Sequence, residues 1–262
     1  MLTRRMFFMI LAASTVVLAP IVAAHAGPWR TPGMQPAAVP RLGPEVQISV
    51  PQYPECHRYQ SDVAFNWIHD EYLVVWVRSL TNIYGARLNW DGTVARSDFV
   101  IYSGSTTQQN PAVTTNEQNR YVVAWEHQYS ATDWDILGIE LNVDGDQVAP
   151  FFAIAPTGEV EARPDVAANG ATKEWLAVWQ RTAEAGDAIW AAAWKSGAVP
   201  GKCVPVAAVT FWNNRYLAVA ADIPGYLIVY EGRAADPTQY QHIYGRMWWP
   251  EAVYLPLIIR NG

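Results

Sequence analysis

Tyr72-Leu73-Val74-Val75-Trp76 decides the fold, because it returns as Tyr121-Val122-Val123-Ala124-Trp125, Trp175-Leu176-Ala177-Val178-Trp179 and Tyr226-Leu227-Ile228-Val229-Tyr230. The closing aromatics stand 49, 54 and 51 positions apart. A second apolar run follows each copy: Ile83-Tyr84-Gly85, Ile136-Leu137-Gly138, Ile189-Trp190-Ala191 and Ile243-Tyr244-Gly245. A third run precedes each: Val63-Ala64-Phe65-Asn66, Val113-Thr114-Thr115-Asn116, Val166-Ala167-Ala168-Asn169 and Val219-Ala220-Ala221-Asp222. Three features that hold one order through four copies mark a repeat architecture.

The runs are short, rich in β-branched and aromatic residues, and bounded by Asn, Asp, Gly or Pro, which is strand chemistry. Alternate residues of a strand point to opposite faces. Tyr72, Val74 and Trp76 therefore share one face and Leu73 and Val75 the other, so both faces need cover. Asp91-Gly92 and Asp144-Gly145 follow the third strand of two copies as hairpin signals. A fourth run then comes at Phe99-Val100-Ile101 and Phe152-Ala153-Ile154. Four-stranded antiparallel units with two apolar faces bury them by radial stacking. The expected fold class is all-β, a four-bladed β-propeller of four-stranded antiparallel blades; a β-sandwich needs no fifty-residue period. The N-terminal stretch Gly43-Pro44-Glu45-Val46-Gln47-Ile48-Ser49 is expected to close the ring as the outer strand of the last blade. Its competitor is Val253-Tyr254-Leu255-Pro256-Leu257-Ile258-Ile259, where Pro256 suits an edge or a non-strand.

The chain has 262 residues, of which 51% are hydrophobic and 16% charged, and its net charge is −6. That length supports a substantial core and excludes a small stapled scaffold, while the apolar content excludes a disordered chain. The acidic balance argues against nucleic acid as a partner. Residues 1–26 are expected to be an export signal peptide: Arg4 and Arg5, an apolar run, then Ala24-His25-Ala26. The adjacent arginines also fit twin-arginine export. Cleavage near Gly27 would leave −8, and the localisation expected is periplasmic, cell-surface or extracellular. No later stretch is long enough for a transmembrane span. Residues 27–42 are a Pro-rich linker, 43–250 the propeller and 251–262 a C-terminal tail. An exported compartment permits a disulfide between Cys56 and Cys203.

The copies resemble propeller repeats of secreted bacterial proteins, with Pro164-Asp165-Val166-Ala167-Ala168-Asn169 and Trp175 to Trp179 as the closest copy. More distantly they are similar to TolB-type repeats. The ending Tyr254-Leu255-Pro256-Leu257-Ile258-Ile259-Arg260 is similar to tails on exported Chloroflexi proteins. The resemblance implies a fold and a location and carries over no catalytic residue.

Candidate ligand-binding residues lie on the rim that receives the loops from strand two to strand three and from each blade to the next. They are Arg78, Glu126, His127, Arg181, Glu231 and Arg233 after the aromatic anchors, with His57 and Trp212 from the loops leading into the first strands. Asn66, Asn116, Asn169 and Asp222 read as turn caps. No nucleophile elbow, His-Glu-x-x-His zinc motif or phosphate-binding glycine loop is present, and neither a metal nor a cofactor is implied. The leading expectation is a non-catalytic exported module that binds a protein partner or a glycan. The alternative is a glycan-active hydrolase or lyase using rim carboxylates such as Glu126 and Glu231.

Overall fold

A computed structural model describes residues 43–49, 57–116, 118–183, 186–207, 215–222, 225–233 and 241–249. The described residues from 44 onward belong to one compact unit. The described residues contain strands and turns and no helix, hence no helix long and apolar enough to cross a membrane.

The strands form successive antiparallel meanders. The first contains β1 (Arg58–Asn66), β2 (Glu71–Arg78), β3 (Asn82–Asn89) and β4 (Val94–Ser103), paired in that order. The second contains β5 (Gln108–Thr115), β6 (Arg120–Gln128), β7 (Trp134–Asn142) and β8 (Phe152–Ala155). The third contains β9 (Val160–Asn169), β10 (Glu174–Ala183), β11 (Gly186–Lys195) and β12 (Val204–Ala207). The fourth contains β13 (Arg215–Ala221), β14 (Tyr226–Arg233) and β15 (Gln241–Trp248) among the described residues. A parallel bridge from Trp134 to Val160 joins the second meander to the third.

The repeated run sets how meanders stack. Its first, third and fifth residues face the preceding meander, and its second and fourth face the following one. Thus Tyr121, Val123 and Trp125 pack with Leu73, Val75 and Val77. Trp175, Ala177 and Trp179 pack with Val122 and Ala124. Tyr226, Ile228 and Tyr230 pack with Leu176 and Val178. Trp125, Trp175 and Trp179 are fully buried. The result is an all-β, propeller-like stack with an apolar layer at each seam.

Two faces lie outside these seams. On the first meander, Trp76, Ala86 and Leu88 pack with Tyr72, Val74, Tyr84 and the single residue Ile48. On the fourth, Leu227, Ile243 and Met247 are exposed. Residues 44–49 form no strand. The expected ring closure by an N-terminal strand is therefore corrected: Val46-Gln47-Ile48 alternates like a strand, but Ile48 is drawn onto the apolar face of the first meander. Among the described residues no sheet closes on itself.

The turns follow local chemistry. Asn66 Oδ1 accepts the N–H groups of Ile68 and His69, Asn116 Oδ1 those of Gln118 and Arg120, and Asn169 Oδ1 those of Ala171 and Thr172. Gly92 and Gly145 take φ of 85° and 82° in the Asp-Gly turns. They differ in surroundings: a Cβ on Gly92 would meet nothing within 4 Å, whereas one on Gly145 would lie 2.5 Å from Phe99 Cζ. Gly92→Ala should cost about 1–2 kcal/mol for the left-handed backbone alone. Gly145→Ala should cost about 1–3 kcal/mol more, because Phe99 must give way. Chemical denaturation of the two variants separates these contributions; equal losses would refute the packing role of Gly145.

Candidate functional site

Each innermost strand bulges at the same place. Pairing registers shift between Tyr59 and Asp62, between Gln109 and Ala112, between Ala162 and Asp165, and between Arg215 and Ala218. Within the bulges Gln60, Asn110, Arg163 and Tyr216 take φ of 47°, 45°, 53° and 47°. A side chain in that region costs about 1–2 kcal/mol, so four such residues at equivalent positions are maintained by their surroundings. These residues and their followers, among them Asp62 from β1 and Asp165 from β9, line a cavity of about 470 Å³. All four innermost strands contribute to it.

Side chains lace each innermost strand to the next. Gln60 Oε1 accepts from Asn110 N (2.9 Å) and Asp62 Oδ2 from Val113 N (2.8 Å). Buried Glu126 Oε1 accepts from Asn110 Nδ2 and from Arg163 N, each at 2.6 Å. Asp165 Oδ2 accepts from Val219 N (2.7 Å) and its Oδ1 from Val166 N (2.9 Å). The Arg163 guanidinium lies over the Tyr216 ring at 4.9 Å. Burial pushes the Asp165 carboxyl up to about 6; its two N–H donors oppose this, and the charge on Asp62 adds to it. The cavity thus offers two carboxylates from different meanders, one held toward its protonated form, beside a guanidinium and amide side chains.

The Asp165 shift has a consequence for stability. A carboxyl that ionises at about 6 when folded but near 4 when unfolded binds its proton more tightly in the native state. Its contribution to stability is therefore largest below about pH 4 and is lost as pH rises through 6. Glu161, pushed by burial to about 7, acts in the same direction. Urea unfolding at pH 4.5 and 7.5 should differ by a share of about 2 kcal/mol from Asp165. Asp165→Asn should remove that share; an unchanged slope would reject the assignment.

Most of the rim residues expected to form a binding ring are instead engaged by neighbours outside that set. Arg78 is buried, its guanidinium 4.6 Å from the Tyr84 ring and 3.7 Å from Asp98, which also pairs with Arg58. Glu126 laces β5 to β9, and burial raises its pKa. His127 Nδ1 and Trp125 Nε1 both lie 2.9 Å from Gln108 Oε1, and burial lowers the His127 pKa. Arg181 pairs with Glu159 and Glu161 and covers the Trp190 ring at 4.6 Å. Glu231 sits on β14 opposite Ile243 and Arg215, and Arg233 ends that strand. His57 is exposed beside Tyr59, with ring centroids 5.9 Å apart. Trp212 and Cys56 lie outside the described residues, so the Cys56–Cys203 bridge does too; the Cys203 Sγ is 3.4 Å from Ile154 O.

Sequence reasoning overlooked Asp62 and Asp165, Gln60, Asn110 and Arg163. Their signal was the column just before the repeated Val: Gln60-Ser61-Asp62, Asn110-Pro111-Ala112 and Arg163-Pro164-Asp165, with Asp in the first and third copies. Among the described residues no three His, Cys, Asp or Glu side chains are grouped as metal ligands.

No family model matches the chain, and no curated protein matches it. Solved structures do. An alpha-L-arabinofuranosidase from Podospora anserina matches with a TM-score of 0.46 at 9% identity, covering 72% of each chain. An endo-arabinase from Bacteroides thetaiotaomicron gives 0.44 at 12% identity, covering 70% of this chain and 72% of that one. An alpha-L-arabinofuranosidase from Lactobacillus brevis gives 0.42 at 10% identity, covering 67% and 68%. The expectation of a module that binds its partner through this rim is corrected by the rim itself, which spends Arg78, Glu126, His127 and Arg181 on internal contacts.

Proposed function

We propose that the axial cavity binds a glycan and hydrolyses a glycosidic bond, with Asp165 and Asp62 as the two acting carboxyl groups. Glycoside hydrolysis requires one carboxylic acid to protonate the leaving oxygen and one carboxylate to act at the sugar carbon, directly or through water. Asp165 keeps its proton until about pH 6 and takes the acid role; Asp62 takes the other. The observation that carries this is the meeting of these two aspartates in one polar cavity. Gln60, Asn110 and Arg163 would hydrogen-bond sugar hydroxyls, and Tyr216 would offer a stacking face. The rim carboxylates Glu126 and Glu231 have no part in the step.

Reducing-sugar release from a panel of polysaccharides, arabinose-bearing ones included, tests the proposal. Asp165→Asn and Asp62→Asn keep an oxygen to accept the N–H groups of Val219 and Val113, so the fold should survive. Each should cut turnover by about 10²–10⁴-fold, and wild-type turnover should decline above about pH 6. Absence of wild-type hydrolysis across the panel, or variants with undiminished rates, would defeat it.

We also take the four meanders as four blades, related to secreted bacterial propeller repeats, and the chain as exported. The sequence of residues 1–26 supports export. N-terminal sequencing of the mature protein should then begin near Gly27.

A further inference from the structure

We propose that Glu126 is a positioning residue: it takes no part in bond cleavage and holds Asn110 and Arg163 where the axial cavity presents them to a sugar. The inference rests on the hydrolase reading of that cavity, and its ground is a comparison of equivalent columns in the four meanders. Asp62, Ala112, Asp165 and Ala218 form one column, set opposite Val75, Ala124, Val178 and Val229 on the neighbouring strands. From it Asp62 Oδ2 ties β1 to β5 by accepting from Val113 N, and Asp165 Oδ2 ties β9 to β13 by accepting from Val219 N. Ala112 has no side-chain acceptor with which to tie β5 to β9. Val166 N, which stands in the place of Val113 N and Val219 N, donates to Asp165 Oδ1 instead.

Glu126 makes the missing tie from β6, one strand further out. Its own column holds Val77, Glu126, Gln180 and Glu231, which pair with Tyr59, Gln109, Ala162 and Arg215. Each of those partners immediately precedes a bulge residue of positive φ, so a polar side chain in this column is within reach of the bulge. Val77 offers no acceptor there, and buried Gln180 leaves its Oε1 without a hydrogen-bond partner. Glu126 Oε1 accepts from Asn110 Nδ2 of its own meander and from Arg163 N of the next, each at 2.6 Å.

That tie connects all four bulges. Asn110 N donates to Gln60 Oε1, and the Arg163 guanidinium covers the Tyr216 ring. Gln60, Asn110, Glu126, Arg163 and Tyr216 therefore form one connected set, in which Glu126 alone lies off the innermost strands. Asn110 and Arg163 hold a left-handed backbone that their side chains disfavour, and surrounding contacts of this kind maintain it. Without the Glu126 acceptor, the Arg163 bulge loses the bond to its N–H and Asn110 loses the bond that orients its amide. Asp62 and Asp165 keep their own partners on Val113 and Val219. The loss thus falls on sugar binding rather than on the chemical step.

Steady-state kinetics of the full chain test this, on the panel polysaccharide that the wild type hydrolyses fastest. Glu126→Met should raise KM by about ten-fold or more, as expected for one or two lost hydrogen bonds. Its kcat should change by less than about three-fold. Glu126→Gln keeps an oxygen acceptor, at a position where the third meander carries buried Gln180, and should return KM to within about two-fold of wild type. Added to Arg163→Ala, Glu126→Met should raise KM further by less than about three-fold. A merely structural role would lower the melting temperature and the active fraction, hence kcat, and leave KM alone. If Glu126→Met fails to fold, Glu126→Asp, which withdraws the carboxylate by one methylene, takes its place with the same expected rise. An unchanged KM in the active variant, or a rise that Glu126→Gln shares, would overturn this inference alone. A wild type that hydrolyses nothing on the panel would overturn the hydrolase reading and this inference with it.

Discussion

Trp179→Ala should cost about 3–5 kcal/mol of folding stability, the loss expected for truncating a large side chain in a close-packed core. Trp179 is 1% exposed and packs with Trp175, Trp194, Ile154 and Val166 at the seam between the second and third meanders. Those neighbours belong to strands of two sheets, whose backbones are fixed by pairing, so the vacated volume cannot collapse. Thermal melting should fall by about 10 °C or more for a chain of this size. Trp90→Ala provides the control: Trp90 is 63% exposed on the Asp91-Gly92 turn and should change stability by no more than about 0.5 kcal/mol. Similar losses for the two variants would refute the seam as the stabilising element.

Glu71→Ala should cost about 3 kcal/mol through a different mechanism, the orphaning of buried donors. Glu71 Oε1 accepts the Tyr121 hydroxyl at 2.9 Å, across the first seam. Its Oε2 accepts Arg87 Nη2 at 2.5 Å and Nε at 3.2 Å. Tyr121 is fully buried, and burial with the Glu71 charge pushes its hydroxyl pKa well above the ordinary tyrosine value. Removing the carboxylate leaves that hydroxyl with no acceptor and leaves Arg87 only the carboxylate of Asp144, at 3.5 Å. Tyr121→Phe removes the donor with its acceptor still satisfied by Arg87, so it should cost about 1 kcal/mol. In the double variant the two losses should sum to less than their separate values, measured by denaturation as a cycle. Strict additivity would show that the pair does not interact.

The stacking was legible in the sequence because a strand with two apolar faces has few ways to be covered. Tyr121-Val122-Val123-Ala124-Trp125 showed that both faces were buried, and its copies showed that neighbours of the same kind covered them. Asn66, Asn116 and Asn169 announced their turns through chemistry local to the chain. The cavity was not legible in this way. Asp62 and Asp165 reach it through bulges at Gln60 and Arg163, and a bulge is decided by pairing between strands far apart in sequence. Rim positions such as Glu126 and Arg181 attracted attention by their charge, but the same charge is consumed by Arg163 N and Glu161. The N-terminal strand was misjudged because alternation in Val46-Gln47-Ile48 serves an extended segment lying on an apolar face equally well.

The face rule of the repeated run also gives the array a direction. At every seam the later unit brings rings, Tyr121 and Trp125, Trp175 and Trp179, or Tyr226 and Tyr230, against the branched aliphatic or small residues of the earlier one. The copies are consequently not interchangeable bricks: exchanging the second with the third would press two indoles onto Leu73, Val75 and Val77, which are shaped around Tyr121 and Trp125. Exchanging units without strain would therefore require altering both partners of a joint together.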